Sequence, residues 1–127
     1  RFVDCIDNVL TAIDDENTEF QPDMLVTMGN AVVSKKIKKY LREYRPKTHW
    51  HLSLSGEKRD TYFSLTYAPT VDPVSFLQNV VSILPAKEEK FSRLWLERKQ
   101  MVAQLREQYL TEVAWSDLKV FDVLLKQ

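Results

Sequence analysis

The sequence predicts an α/β fold: an incomplete parallel sheet with flanking helices, followed by a long connecting helix. Three observations predict it. Two strand-type runs, 23–28 and 49–54, are separated by a helical stretch, as in a parallel crossover unit. The first run (Met24, Leu25, Val26, Met28) is nearly continuous in apolar residues, the pattern of a strand covered on both faces. The C-terminal third then carries only helical periodicity.

The elements follow in order. Phe2, Val3, Ile6, Val9, Leu10 and Ile13 recur at helical spacing, so residues 2–13 are expected to form a helix with Cys5 on its buried stripe. Asp14-Asp15-Glu16-Asn17 reads as its exit loop. After the first strand, Gly29-Asn30 turns the chain and Ser34 is placed to cap a second helix. Ile37, Tyr40, Leu41 and Tyr44 give that helix an apolar stripe, and Pro46 stops it. Trp50, Leu52 and Leu54 alternate onto one face of the second strand. Residues 61–67 are expected to form a third short strand. Asp72-Pro73 supplies an N-cap and a first-turn proline for a helix bearing Phe76, Leu77, Val80, Val81 and Leu84, with Pro85 ending it. From Lys87 to about Leu110 runs one long amphipathic helix, with Phe91, Leu94, Trp95, Met101, Val102 and Leu105 on its stripe. Ser116 caps a last helix carrying Leu118, Phe121, Leu124 and Leu125.

Composition bounds the function. At 127 residues, one domain is expected. The formal net charge is zero, so overall charge steers neither nucleic acid nor membrane toward the chain. Charge is nevertheless segregated: residues 4–23 hold seven acidic side chains and no basic ones, and residues 35–47 hold seven basic ones and only Glu43 against them. Two solvated faces are the simpler account. A single cysteine excludes an internal disulfide and suits a reducing, cytoplasmic setting. No apolar run reaches the ~20 residues of a membrane-spanning helix. With only Gly29 and Gly56, and with both ends falling inside helical patterns, the chain reads as part of a larger protein.

Four places carry candidate chemistry. Lys35 and Lys36 open the second helix beside Ser34, against the positive end of its dipole, at a cost of a few tenths of a kcal/mol each. Two cations there are either a solvated face or one side of an anion site built on the helix N-terminus. The loop lacks a G-x-G-x-x-G or Walker A pattern, so dinucleotide binding is disfavoured. His49-x-His51 would share a strand face, but no third ligand stands beside them and a structural role is favoured. KKIKKYLREYRPK mixes cations with tyrosines, yet Tyr40 and Tyr44 fall on the apolar stripe, against nucleic-acid binding. Asp14-Asp15-Glu16 lacks the spacing of a calcium loop. No catalytic or metal-ligating set is assembled, and local reading ends at part of an α/β domain whose second helix opens on either a solvated basic face or one side of an anion site.

Over PDMLVTMGNAVVSKKIKKYLREYRPKTHWHL the chain resembles the MenD family, the thiamine-diphosphate enzymes 2-succinyl-5-enolpyruvyl-6-hydroxy-3-cyclohexene-1-carboxylate synthase of menaquinone biosynthesis. The match lies in Gly29-Asn30-Ala31-Val32-Val33-Ser34-Lys35-Lys36, then Trp50, and again in Trp115-Ser116-Asp117-Leu118-Lys119. The resemblance implies the nucleotide-binding-like central domain of such an enzyme over residues 1–86, a connecting helix over 87–112, and the first helix of a C-terminal diphosphate-binding domain over 113–127. It implies a transferase that decarboxylates 2-oxoglutarate on thiamine diphosphate with Mg²⁺ and adds the succinyl unit to isochorismate. Ser34, Lys35 and Lys36 become substrate-carboxylate contacts. The catalytic glutamate and the magnesium site belong to other domains, so this stretch alone is expected to hold no cofactor and to be inactive. A homodimer or homotetramer is implied for the intact enzyme. The alternative is a non-catalytic anion-binding or regulatory α/β module.

Overall fold

The computed structural model describes residues 3–13, 18–84 and 89–125. Asp14-Asp15-Glu16, Pro85 and Lys87, on which three expectations rested, lie outside them, as does Phe2.

The first helix, α1, spans Ile6–Thr11. It is shorter than expected because Cys5 takes the left-handed backbone conformation at φ 49°, which no helix continues. Cys5 is therefore turned out and exposed, correcting its expected burial, and its thiol donates to the Asp4 carboxylate at 3.4 Å. A single 3₁₀ turn, Thr18–Phe20, buries Phe20.

Strand β1 (Met24–Met28) pairs in parallel with β2 (Thr48–Leu52), in the register Leu25 to His49 and Thr27 to His51. The crossover is α2, Lys35–Glu43. Ser34 caps it as expected, its hydroxyl accepting from the Ile37 amide at 3.1 Å. Leu41 is buried, Ile37, Tyr40 and Tyr44 are half-buried, and the helix closes at Tyr44 ahead of Pro46. This is the predicted α/β class, with a sheet of two strands.

β1 departs from the both-faces-covered expectation. Leu25, Val26 and Thr27 are half-buried and Met24 and Met28 are exposed, and among the described residues β1 has a strand partner on one side only. β2 departs the other way: His49, His51 and Leu52 are buried, and Leu54 falls past the strand end into solvent.

The expected third strand does not form. The Asp60 carboxylate accepts from the Ser64 and Leu65 amides at 2.9 and 3.2 Å, and Phe63 turns through φ 58°. That turn leaves only isolated parallel bridges, Trp50 to Tyr67 and Ser53 to Thr70, along the outer edge of β2.

Helix α3 (Pro73–Ile83) starts as predicted, the Asp72 carboxylate accepting from the Ser75 amide at 2.9 Å. Phe76 lies edge-on to Trp50 at 6.0 Å, and no α3 residue is buried. The long helix α4 spans Lys90–Glu112 and α5 spans Asp117–Leu125. α4 packs on α1 and on the 3₁₀ turn, where Trp95 meets Phe20 edge-on at 5.4 Å. Of the expected α4 stripe, Leu94, Trp95 and Val102 are half-buried while Phe91, Met101 and Leu105 are exposed. Arg106 to Asp122 at 3.0 Å ties α5 back to α4. The core comprises Val9, Phe20, Leu41, Leu52, Tyr62 and Leu110.

Candidate functional site

The start of α2 stands after the carboxyl end of β1, where open parallel sheets place their ligands. Gly29 makes the exit turn at φ 71°, with open space around its α-carbon. The three predicted residues then diverge. The Ser34 hydroxyl, besides capping α2, donates to the Asp7 carboxylate of α1. Lys36 also leans onto α1, its ammonium donating to the Thr11 hydroxyl and, at 3.4 Å, to the Asp7 carbonyl. Lys35 instead joins Lys38, Lys39 and Arg42 on an exposed basic face that includes Glu43. Both lysines are exposed, and the helix start uses one of them, Lys36, to hold α1 against α2 while Lys35 makes no such contact with α1.

None of the three lines the main cavity, which has a volume of about 560 Å³. That cavity lies against β1. Its walls are largely apolar, from Met24, Val26, Ile37, Tyr40, Phe91 and Trp95 among others. Among the described residues, Tyr40 Oη and Trp95 Nε1 are buried without a hydrogen-bond partner. Burial, then the neighbouring Tyr44, pushes the Tyr40 hydroxyl up to about 12, so it remains a neutral donor. Arg59 and Asn30 close one side of the cavity, hydrogen-bonded to each other at 3.1 Å.

Behind that wall the two histidines are joined by one hydroxyl. Thr27 Oγ1 lies 2.9 Å from His49 Nε2 and 3.0 Å from His51 Nδ1. Ser64 Oγ is 3.2 Å from His49 Nδ1, and the Asp60 carboxylate is 4.0 Å away. His49 is 0% and His51 4% exposed. Burial holds the His49 imidazole below its ordinary range; Asp60 opposes that and His51 adds to it. The favoured structural reading of the His-x-His pair agrees with this burial and hydrogen bonding. Alternation put both histidines on one face from sequence. The hydroxyl between them was not legible, because Thr27 meets His51 only through the parallel register.

No family model matches the chain. Among curated proteins it is 38% identical, over 98% of its length, to the 2-succinyl-5-enolpyruvyl-6-hydroxy-3-cyclohexene-1-carboxylate synthase of Flavobacterium psychrophilum. It is 35% identical over 94% of its length to the protein of that name from Bacteroides thetaiotaomicron, and 33% identical over 98% to that of Flavobacterium johnsoniae. The chain spans 23%, 21% and 23% of the length of these three relatives. Matched along nearly all of its own length, it belongs, as a stretch of about a fifth of their chains, to the 2-succinyl-5-enolpyruvyl-6-hydroxy-3-cyclohexene-1-carboxylate synthase family.

Proposed function

We propose that the chain works as part of a thiamine-diphosphate-dependent synthase that decarboxylates 2-oxoglutarate and adds the succinyl unit to isochorismate. The observation that carries this reading is the end-to-end similarity to synthases of that name. In this reading, residues 1–86 are part of the central domain, 87–112 connect, and 113–127 open the diphosphate-binding domain. In this reading the cofactor's chemistry belongs to other parts of the polypeptide, and residues 1–127 alone are expected to be inactive. The intact enzyme is expected to be a homodimer or homotetramer.

The role of this stretch is to bind and orient substrate carboxylates at the start of α2. Both named substrates carry more than one carboxylate, and a helix N-terminus with added cations favours such charge. Lys35 is the available cation. Ser34 and Lys36 would contribute by fixing the turn and by moving from α1 to the substrate on binding. These side chains bind and orient; a lysine ammonium here exchanges no proton in the reaction.

Turnover by the full-length protein with isochorismate, 2-oxoglutarate, thiamine diphosphate and Mg²⁺ tests the reading. Lys35→Ala is expected to lower kcat/KM by ~2 kcal/mol of transition-state binding, and Lys36→Ala by less. An active wild type with an unaffected Lys35→Ala would remove the site assignment and keep the activity. An inactive wild type would favour an anion-binding module, for which the exposed basic face of Lys35, Lys38, Lys39 and Arg42 is the feature to follow.

A further inference from the structure

His49 holds more than its own strand. Its carbonyl accepts from the Thr66 amide at 2.9 Å and from the Tyr67 amide at 3.1 Å. Its amide donates to Thr66 Oγ1 at 3.0 Å, and that hydroxyl donates back to the His49 carbonyl at 2.9 Å. Segment 60–67 is thus fastened to the sheet chiefly at this residue, with further holds from the His51 amide to the Tyr67 carbonyl at 2.9 Å and from Arg42 Nε to the Thr61 carbonyl at 2.9 Å. Thr61 and Tyr62 line the cavity, so the fastening also holds one of its walls.

We propose that the chain Ser64–His49–Thr27–His51 is an acid-operated latch, which keeps residues 60–67 on the sheet while His49 is neutral and releases them when it is protonated. The proton count gives the reason. One hydroxyl proton serves one ring nitrogen. With both rings neutral and the His49 proton assigned to Nδ1, on the side facing Asp60, Nδ1–H donates to Ser64 Oγ and Nε2 accepts the Thr27 proton. His51 Nδ1–H then donates to Thr27 Oγ1. Each of the three contacts along the chain then pairs one donor with one acceptor, without charge. A proton taken from water by His49 lands on Nε2, on the side away from Asp60, and turns an acceptor into a donor aimed at Thr27. The Thr27 hydroxyl must then rotate, and the acceptor nearest to it is the Trp50 carbonyl at 3.4 Å. The new charge also sits in a fully buried ring.

The groups facing His49 are Thr27 from β1, His51 on its own strand, and Asp60, Tyr62 and Ser64 from the 60–67 segment. The Tyr62 ring is 5.8 Å from the imidazole, and its hydroxyl is pushed up by burial and stays neutral. Asp60 favours the charged ring, and burial with His51 outweighs it. His51 differs: it lines the cavity, and only its Nδ1 faces Thr27.

The sign follows. Closed, His49 resists a proton; open, it titrates near its ordinary value of about 6.5. The closed state is fully favoured above that pH and loses favour as pH falls through the folded value, by at most about tenfold per pH unit for one proton.

Hydrogen exchange on the full-length protein, corrected for the intrinsic pH dependence, reads this. Protection at Thr66 and Tyr67 is expected to fall about tenfold between pH 7.5 and pH 5.5, with α4 residues 94–108 unchanged. In His49→Gln, which cannot titrate, that difference is expected to vanish, and in His51→Gln to persist. No change in the wild type, an equal change in α4, or a His49→Gln protein that keeps the pH effect would overturn the latch. Should His49→Gln fail to fold, the imidazole titration of His49 in the wild type by NMR decides. A midpoint below 6.5 that coincides with the loss of protection supports the latch, and one at or above 6.5 overturns it.

Discussion

Residues 3–71 and residues 72–125 are built differently although both begin with good local signals. The first stretch holds Val9, Phe20, Leu41, Leu52 and Tyr62 in the core, together with His49 and His51. Among the described residues the second contributes Leu110 alone, and neither α3 nor α5 buries a residue. Its apolar side chains stand in water: Trp115 is 72% exposed, Leu125 83%, and Val81 73%. A cap and a periodic stripe are enough to form a helix, and they do not supply a surface to bury it against. Stability in this chain therefore resides in the sheet, its crossover helix and the base of α4.

Five substitutions break or sharpen that contrast. The largest effect is expected at Leu52, fully buried in β2. Leu52→Ala should cost about 2–5 kcal/mol in denaturant unfolding, through lost burial and the cavity left behind. Gly56 comes next. It turns through φ 70°, and an added Cβ would stand 2.7 Å from Thr70 Oγ1. Gly56→Ala should therefore cost more than the ~1–2 kcal/mol of left-handed strain alone, whereas Gly29→Ala, with open space around it, should cost that strain only. Ser34→Ala removes the α2 cap and the Asp7 contact together, for about 1 kcal/mol or somewhat more by the same measurement. Last, Leu125→Ala should stay within about 0.5 kcal/mol. A Leu125→Ala loss as large as that at Leu52 would mean that the α5 face is covered in solution and would erase the contrast.

Acid should separate the two halves as well. The Ser75 hydroxyl and amide hold the Asp72 carboxyl below its ordinary value. Its contribution to α3 is thus present above about pH 4 and is lost as pH falls through the lower, folded value. His49, held below its ordinary range by burial, gives a loss that begins near pH 6.5. Circular dichroism should show α3 helicity unchanged at pH 5.5, where exchange at Thr66 and Tyr67 has already risen. Loss of helicity at the same pH as loss of protection would join the two events into one unfolding.

The same contrast explains which expectations were legible. Ser34 and Asp72 capped the helices they preceded, and the Ile37, Tyr40, Leu41 and Tyr44 stripe faced inward. The resemblance carried by Gly29 to Lys36 agrees with the similarity to the synthases over the whole chain. The start of α2 was legible from the sequence, and the partners of its side chains were not: Ser34 and Lys36 are engaged by Asp7 and Thr11, from a helix remote in sequence. The third strand failed because Asp60 collects the amides of Ser64 and Leu65 into a turn, which composition alone does not show. Cys5 carried a periodic position and a left-handed backbone, and the backbone decided its exposure.

What the sequence determined by itself is whatever neighbours along the chain decide: the helix starts and stops, the parallel order of strand, helix and strand, and the cations at the start of α2. Those features depend on hydrogen bonds and apolar spacing within a few residues. The tertiary structure alone decided which faces are covered. It set Thr27 between two histidines, turned Lys36 onto α1 and left Lys35 in solvent, and brought Tyr40 and Trp95 to one cavity. Burial and hydrogen-bond partnership are properties of what packs across the fold, and a register of one residue either way would have aimed Thr27 elsewhere.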